Sequence, residues 1–219
     1  MPAARRTPVY LEKGPRRSFA CAVEWPGWSR SDRGDEAALE ALAVYARRYA
    51  QVARRAKLDL PAITVADLEV VETVEGNPIT DFGAPNVIAG VDRQPLTAAA
   101  ARRMTALLVA AWEELDEVIA SAPKALRKGP RGGGRDRDAV AAHVLEAERS
   151  YARKIGVRLS AEEWRNGGVP LLRDGIREVL SAAADGSAPI AGGWPPRYCA
   201  RRTAWHALDH AWEIEDKSE

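Results

Sequence analysis

From Pro95 onward the apolar residues recur at helical spacing in four separate stretches, and that pattern leaves few folds open. Thr97 stands ready to cap the first, where Met104, Leu107, Leu108, Ala111, Leu115, Val118 and Ile119 form one stripe that Pro123 ends. A second helix is expected from about Asp136 to Ile155, with Val140, His143, Val144, Ala147 and Tyr151 facing one way. A third is expected from about Pro170 to Ala184, with Leu172, Ile176, Val179 and Leu180 inward. Gly192-Gly193-Trp194-Pro195-Pro196 leads into a fourth, from about Arg197 to Asp216. Four amphipathic helices bury their stripes most simply against one another, which predicts an all-α, up-and-down four-helix bundle over 96–219.

The first ninety residues follow a different grammar. Val9-Tyr10-Leu11 and Phe19-Ala20-Cys21-Ala22-Val23 are short strand-like runs joined by a Gly14-Pro15 turn signal, and Phe19, Cys21 and Val23 alternate as a half-buried strand requires. Trp25-Pro26-Gly27-Trp28 stops the second run. A helix opens at Asp35-Glu36, with Leu39, Leu42, Ala46 and Tyr49 at helical spacing and arginines crowding its later turns. Leu68 to Val74 supplies a third strand. The prediction is therefore a small α+β domain over 1–75 in the order β-β-α-β. Residues 76–95 hold Pro78, Pro85 and Pro95 and read as a linker.

Charge and cysteine usage narrow the function classes. The 219-residue chain carries 32 basic and 31 acidic side chains, a net charge of +1, so nucleic acid is not an expected partner. No apolar run reaches the roughly 20 residues of a membrane span, and Met1-Pro2-Ala3-Ala4-Arg5-Arg6 precedes no apolar segment of the signal-peptide kind. Two distant cysteines, Cys21 and Cys199, fit a reducing compartment, so a cytoplasmic location is expected. Arginine far exceeds lysine and alanine is abundant, as a GC-rich coding sequence produces.

Histidine is scarce and placed tellingly. The chain has three, His143, His206 and His210. His206 and His210 stand four residues apart in the last predicted helix, so both rings can point at one ion. His143 lies on the inward stripe of the second. Imidazole is a preferred ligand of zinc, nickel and similar divalent metals, and three such ligands leave an open position of the kind metal catalysis uses. From spacing alone, three histidines that merely pack in the core remain the alternative.

The segment Arg201-Arg202-Thr203-Ala204-Trp205-His206-Ala207-Leu208-Asp209-His210-Ala211-Trp212-Glu213 resembles the last helix of the DinB superfamily, with its His-x-x-x-His pair. Asp138 to Glu148 is similar to that family's second helix, which carries a lone histidine. The resemblance spans about 95–216 and implies a four-helix bundle holding a divalent metal (zinc, nickel or manganese) on His143, His206 and His210. It also implies a metal-dependent enzyme using a low-molecular-weight thiol, as an S-transferase or isomerase, with a small-molecule thiol and an electrophile as partners. The GC-rich reading makes mycothiol the thiol to test. The metal would lower the pKa of a bound thiol or water.

Other residues then become site candidates. Glu146 and Asp209 are placed to orient an imidazole, Glu213 to act as base or further ligand, and Cys199 as a thiol at the site mouth. Core packing is the alternative for Cys199, and solvation the alternative for the two orienting carboxylates. Arg197, Arg201 and Arg202 crowd the helix end where cations oppose the dipole, which suggests binding of an anionic cosubstrate such as a thiol's carboxylate or a phosphate, with a solvated face as the favoured alternative. The Arg127–Arg135 loop, with three consecutive glycines, suits a mobile basic lid or a disordered connection. The first fifty residues after Thr7 resemble the HicB antitoxin fold, through two strands, a Trp-Pro-Gly turn and Asp35-Glu36-Ala37-Ala38-Leu39. That resemblance implies a small α/β fold that pairs with a partner. A non-catalytic binding or regulatory module is thus the second functional reading, and a homodimer would cover the exposed strand edges.

Overall fold

The computed structural model describes residues 6–129 and 133–218, so the start of the chain and the centre of the basic loop, 130–132, lie outside the described residues. Three strands come first, β1 (Thr7–Lys13), β2 (Ser18–Ala22) and β3 (Ser29–Asp32), then helix α1 (Asp35–Arg55) and strand β4 (Leu68–Glu75). The sheet order is β3-β2-β1-β4, antiparallel except for the parallel β1–β4 pair that the α1 crossover permits. The order is thus β-β-β-α-β. The added strand, β3, is polar throughout and carries no hydrophobic signal; it is defined by its ladder to β2.

β2 is buried along its whole length, not on one face only. Ala20 and Ala22 point toward α1 with Val9, Leu11, Leu42 and Tyr49. Phe19 and Cys21 point the other way, with Tyr10, Ala89 and Trp205. The Trp-Pro-Gly-Trp turn locks the first layer: Trp28 Nε1 donates to the Leu42 carbonyl at 2.9 Å, and the Tyr49 hydroxyl to that of Pro26 at 2.7 Å.

The second layer contains the 76–95 segment, which is built rather than loose. It forms a short helix, α2 (Pro78–Phe82), and a 3₁₀ turn over Gly90–Arg93. Buried Glu12 on β1 accepts from Thr80 Oγ1 at 2.6 Å and from the amides of Asn86 and Val87 at 3.1 and 3.0 Å. Glu72 on β4 likewise accepts from the amides of Gly90 and Val91 at 2.6 and 2.8 Å. Three prolines made the stretch read as a connection; two strand carboxylates give its amides the partners that helix or sheet would otherwise supply.

Four long helices follow: α3 (Ala98–Ser121), α4 (Arg137–Arg153), α5 (Ala161–Leu180) and α6 (Pro196–Ser218), each touching the other three. Thr97 caps α3 as expected, accepting from Ala100 N. α5 starts nine residues before its predicted start, behind a Ser160–Glu163 capping box, and breaks at Gly168 (φ 48°, ψ −131°). α6 is central: it packs on α3, reaches α4 and α5, and presses Trp205 edge-on against Phe19 of the sheet, 6.1 Å between ring centres. The sheet unit and the helices therefore share one hydrophobic core. Among the described residues, no helix is long and apolar enough to cross a membrane.

Candidate metal centre

The three histidines meet. His143 comes from α4, His206 and His210 from successive turns of α6, and their ring centres stand 5.1, 5.1 and 4.7 Å apart. One nitrogen from each lies within 4.8 Å of the other two, a group that can hold a metal ion. His206 is buried and the other two half-buried, so the cluster opens on one side.

The electrostatics of the cluster suit neutral ligands. Burial first, then the charges of His210, Arg202, His143 and Arg135, hold the His206 pKa down at about 2. Burial, His210 and Arg135 also lower that of His143. A neutral imidazole offers a lone pair that an imidazolium lacks. His206 Nδ1 is buried with no hydrogen-bond partner among the described residues, which leaves a polar atom without compensation for its desolvation. A divalent ion bound by the cluster would give that atom a partner.

Glu213 takes a supporting place. Its Oε2 lies 2.7 Å from His210 Nδ1, while Lys217 bonds its Oε1. The His210 contact and the Lys217 ammonium pull the Glu213 pKa to about 2 against the effect of burial, so the carboxylate is ionised. An ionised carboxylate at Nδ1 fixes the proton there and leaves Nε2 as the ligating atom. Beyond Glu213 lies a cleft of about 280 Å³ lined by Arg30, Tyr45, Asp209, Trp212 and Lys217.

The other expected residues divide. Glu146 is exposed, close enough for its charge to act on His143, and makes no hydrogen bond to the cluster. Asp209 pairs with Arg30 of β3 at 3.1 Å instead of with an imidazole. Cys199 is 1% exposed, its thiol pushed up to about 12 by burial, with Thr203 Oγ1 4.0 Å away; it packs in the core. Arg197 bonds the carbonyls of Gln94 and Pro95 and pairs with Glu24. Arg201 is buried against Asp92 at 2.5 Å, between the rings of Tyr10 and Tyr198. Both arginines pin the 76–95 segment to α6, so neither stands free for a cosubstrate.

Tyr151 and Trp194 join the site without having been proposed for it, and Arg202 and Arg135, expected in an anion-binding group and in a basic lid, lie beside it. Tyr151 is 5.8 Å from His206 and 5.0 Å from Trp194, ring centre to ring centre. Arg202 lies over Trp205 at 4.6 Å and near Tyr151 at 5.6 Å. Arg135, in the basic loop, acts electrostatically on His143 and His206. The signal for Arg202 and Tyr151 was in the sequence: Arg202 is one turn before His206, and Tyr151 two turns after His143. No family model, curated protein or solved structure matches the chain.

Proposed function

We propose that this chain is a divalent-metal-binding protein of the DinB type, and that its centre serves a metal-dependent reaction of a low-molecular-weight thiol, an S-transfer or isomerisation. One observation carries the reading: the only three histidines of the chain, 63 residues apart at the first interval, converge on one point, and among them a buried nitrogen has no partner among the described residues.

His143, His206 and His210 would hold the ion. Glu213 orients His210, and Lys217 keeps Glu213 ionised. The chemistry such an ion would supply is a lowered pKa for a bound thiol or water, and so a nucleophile at neutral pH. Tyr151 and Trp194 wall one side and limit the approach of water to His206. Cys199, buried and protonated, takes no part.

Cobalt-substituted protein tests the reading. Addition of a thiol is expected to produce a sulfur-to-cobalt absorption band, absent in His206→Ala. Cobalt bound on the histidines that gives no band with any small thiol would remove the thiol chemistry and leave a structural site.

A second reading, a partner-recognition module of the HicB kind, is favoured by the β4 edge. Val70 and Val71 there are 43% and 47% exposed, and no strand pairs beyond β4 among the described residues.

A further inference from the structure

Arg202 is a cation without a counter-charge. It is half-buried on α6, one turn before His206, and forms no ion pair with any described carboxylate. Its Nη1 is buried and meets no hydrogen-bond acceptor among the described residues. Its neighbour Arg201 also has a buried Nη1 that meets no acceptor among the described residues, but its charge is matched by Asp92. The surroundings of Arg202 are aromatic: Trp205 lies under the guanidinium at 4.6 Å and Tyr151 beside it at 5.6 Å.

The imbalance grows when the site is filled. The one carboxylate hydrogen-bonded to the histidines, Glu213, is already neutralised by Lys217. Arg135 adds further positive potential at His143 and His206. A divalent ion would bring two more charges, so the occupied centre has an excess of positive charge that Glu146, exposed to solvent, offsets only in part. Partly buried charge of one sign is costly unless it is paired, and a ligand is the remaining source of the pair.

We propose that Arg202 is an anion-binding residue for the small molecule that the metal binds, and that this molecule carries a carboxylate a few bonds from its thiol. Thiol and carboxylate then span one helical turn of α6, from the ion to Arg202. The planar guanidinium fork matches a carboxylate edge to edge, and the rings of Trp205 and Tyr151 lie against the guanidinium itself. This inference rests on the metal-centre reading.

The test compares 3-mercaptopropionate with its methyl ester, two thiols that differ in one negative charge, titrated into cobalt-loaded protein and followed by the sulfur-to-cobalt band. The wild type is expected to bind the acid about tenfold or more tighter than the ester, the worth of a charge-assisted pair. Arg202→Gln is expected to abolish the preference while cobalt stoichiometry and ester affinity stay, and Arg202→Lys to keep part of it. Equal affinities in the wild type overturn the proposal without any variant. A preference that survives in Arg202→Gln assigns it to chelation at the metal and also overturns the proposal. Failure of the wild type to take up cobalt sinks the metal-centre reading, and this inference with it; cobalt uptake without discrimination sinks this inference alone.

Discussion

Glu213 Oε2 and His210 Nδ1 lie 2.7 Å apart, three residues along one helix, and this contact decides which nitrogen His210 can give a metal. A carboxylate behind a ligating imidazole sets its tautomer and raises its basicity. Glu213→Gln is therefore expected to weaken metal binding by about 10- to 100-fold without changing the number of ions bound. Competition against a chromophoric chelator measures it. Unchanged affinity would show that Glu213 serves only Lys217.

Asp92 and Arg201 form a pair buried on both sides, 4% and 3% exposed. Asp92→Ala leaves a guanidinium without its anion inside the protein, at an expected cost of about 3–5 kcal/mol. Arg30→Ala breaks a pair with Asp209 that is far more exposed, and about 1 kcal/mol or less is expected. Urea denaturation of the two variants separates these roles; equal losses would contradict the assignment of Arg201 to the frame.

Gly27 sits at φ +92°, and a Cβ there would come within 2.7 Å of Leu208 Cδ1 and 3.1 Å of the Ala204 carbonyl carbon. The Trp-Pro-Gly-Trp turn thus rests directly on α6. Gly27→Ala combines backbone strain with overpacking and is expected to cost about 2–4 kcal/mol. A loss below about 1 kcal/mol in the denaturation midpoint analysis would show that α6 and the turn part easily.

Hydrogen bonds from Lys13 and Ser18 hold the Asp35 carboxyl below its ordinary pKa. Its contribution is then present above the unfolded-state value of about 3.9 and is lost as pH falls through the lowered folded value. Asp35→Asn is expected to destabilise the protein at pH 7 and to approach the wild type at pH 2–3. A difference that is constant with pH would mean that the charge of Asp35 is not what stabilises the fold.

The sequence made some of this legible and hid the rest for physical reasons. The α3 stripe was readable because a 3.6-residue period survives burial against several neighbours; all but Ile119 of its seven named residues are fully buried. β3 was invisible, since Ser29-Arg30-Ser31-Asp32 offers no apolar alternation and forms only by pairing with β2. The start of α5 carried its own signal in Ser160 and Glu163, masked by Gly167, Gly168 and Pro170, which mark the break within it. The histidine set was legible because spacing on a helix fixes direction. Arg197, Arg201 and Arg202 were legible only as a group at one helix end, because tertiary partners alone separate Arg197 and Arg201, which tie the frame, from Arg202, which lies over Trp205 and beside Tyr151.

Metal content tests the central claim most directly. Protein purified without a histidine tag, offered zinc, nickel or manganese and then dialysed, should retain about one divalent ion per chain by mass spectrometry. His143→Ala, His206→Ala and His210→Ala should each lose it while remaining folded by circular dichroism. Wild-type protein that comes through the same treatment free of metal would contradict the account, and the three histidines would then be packing residues of the helical core.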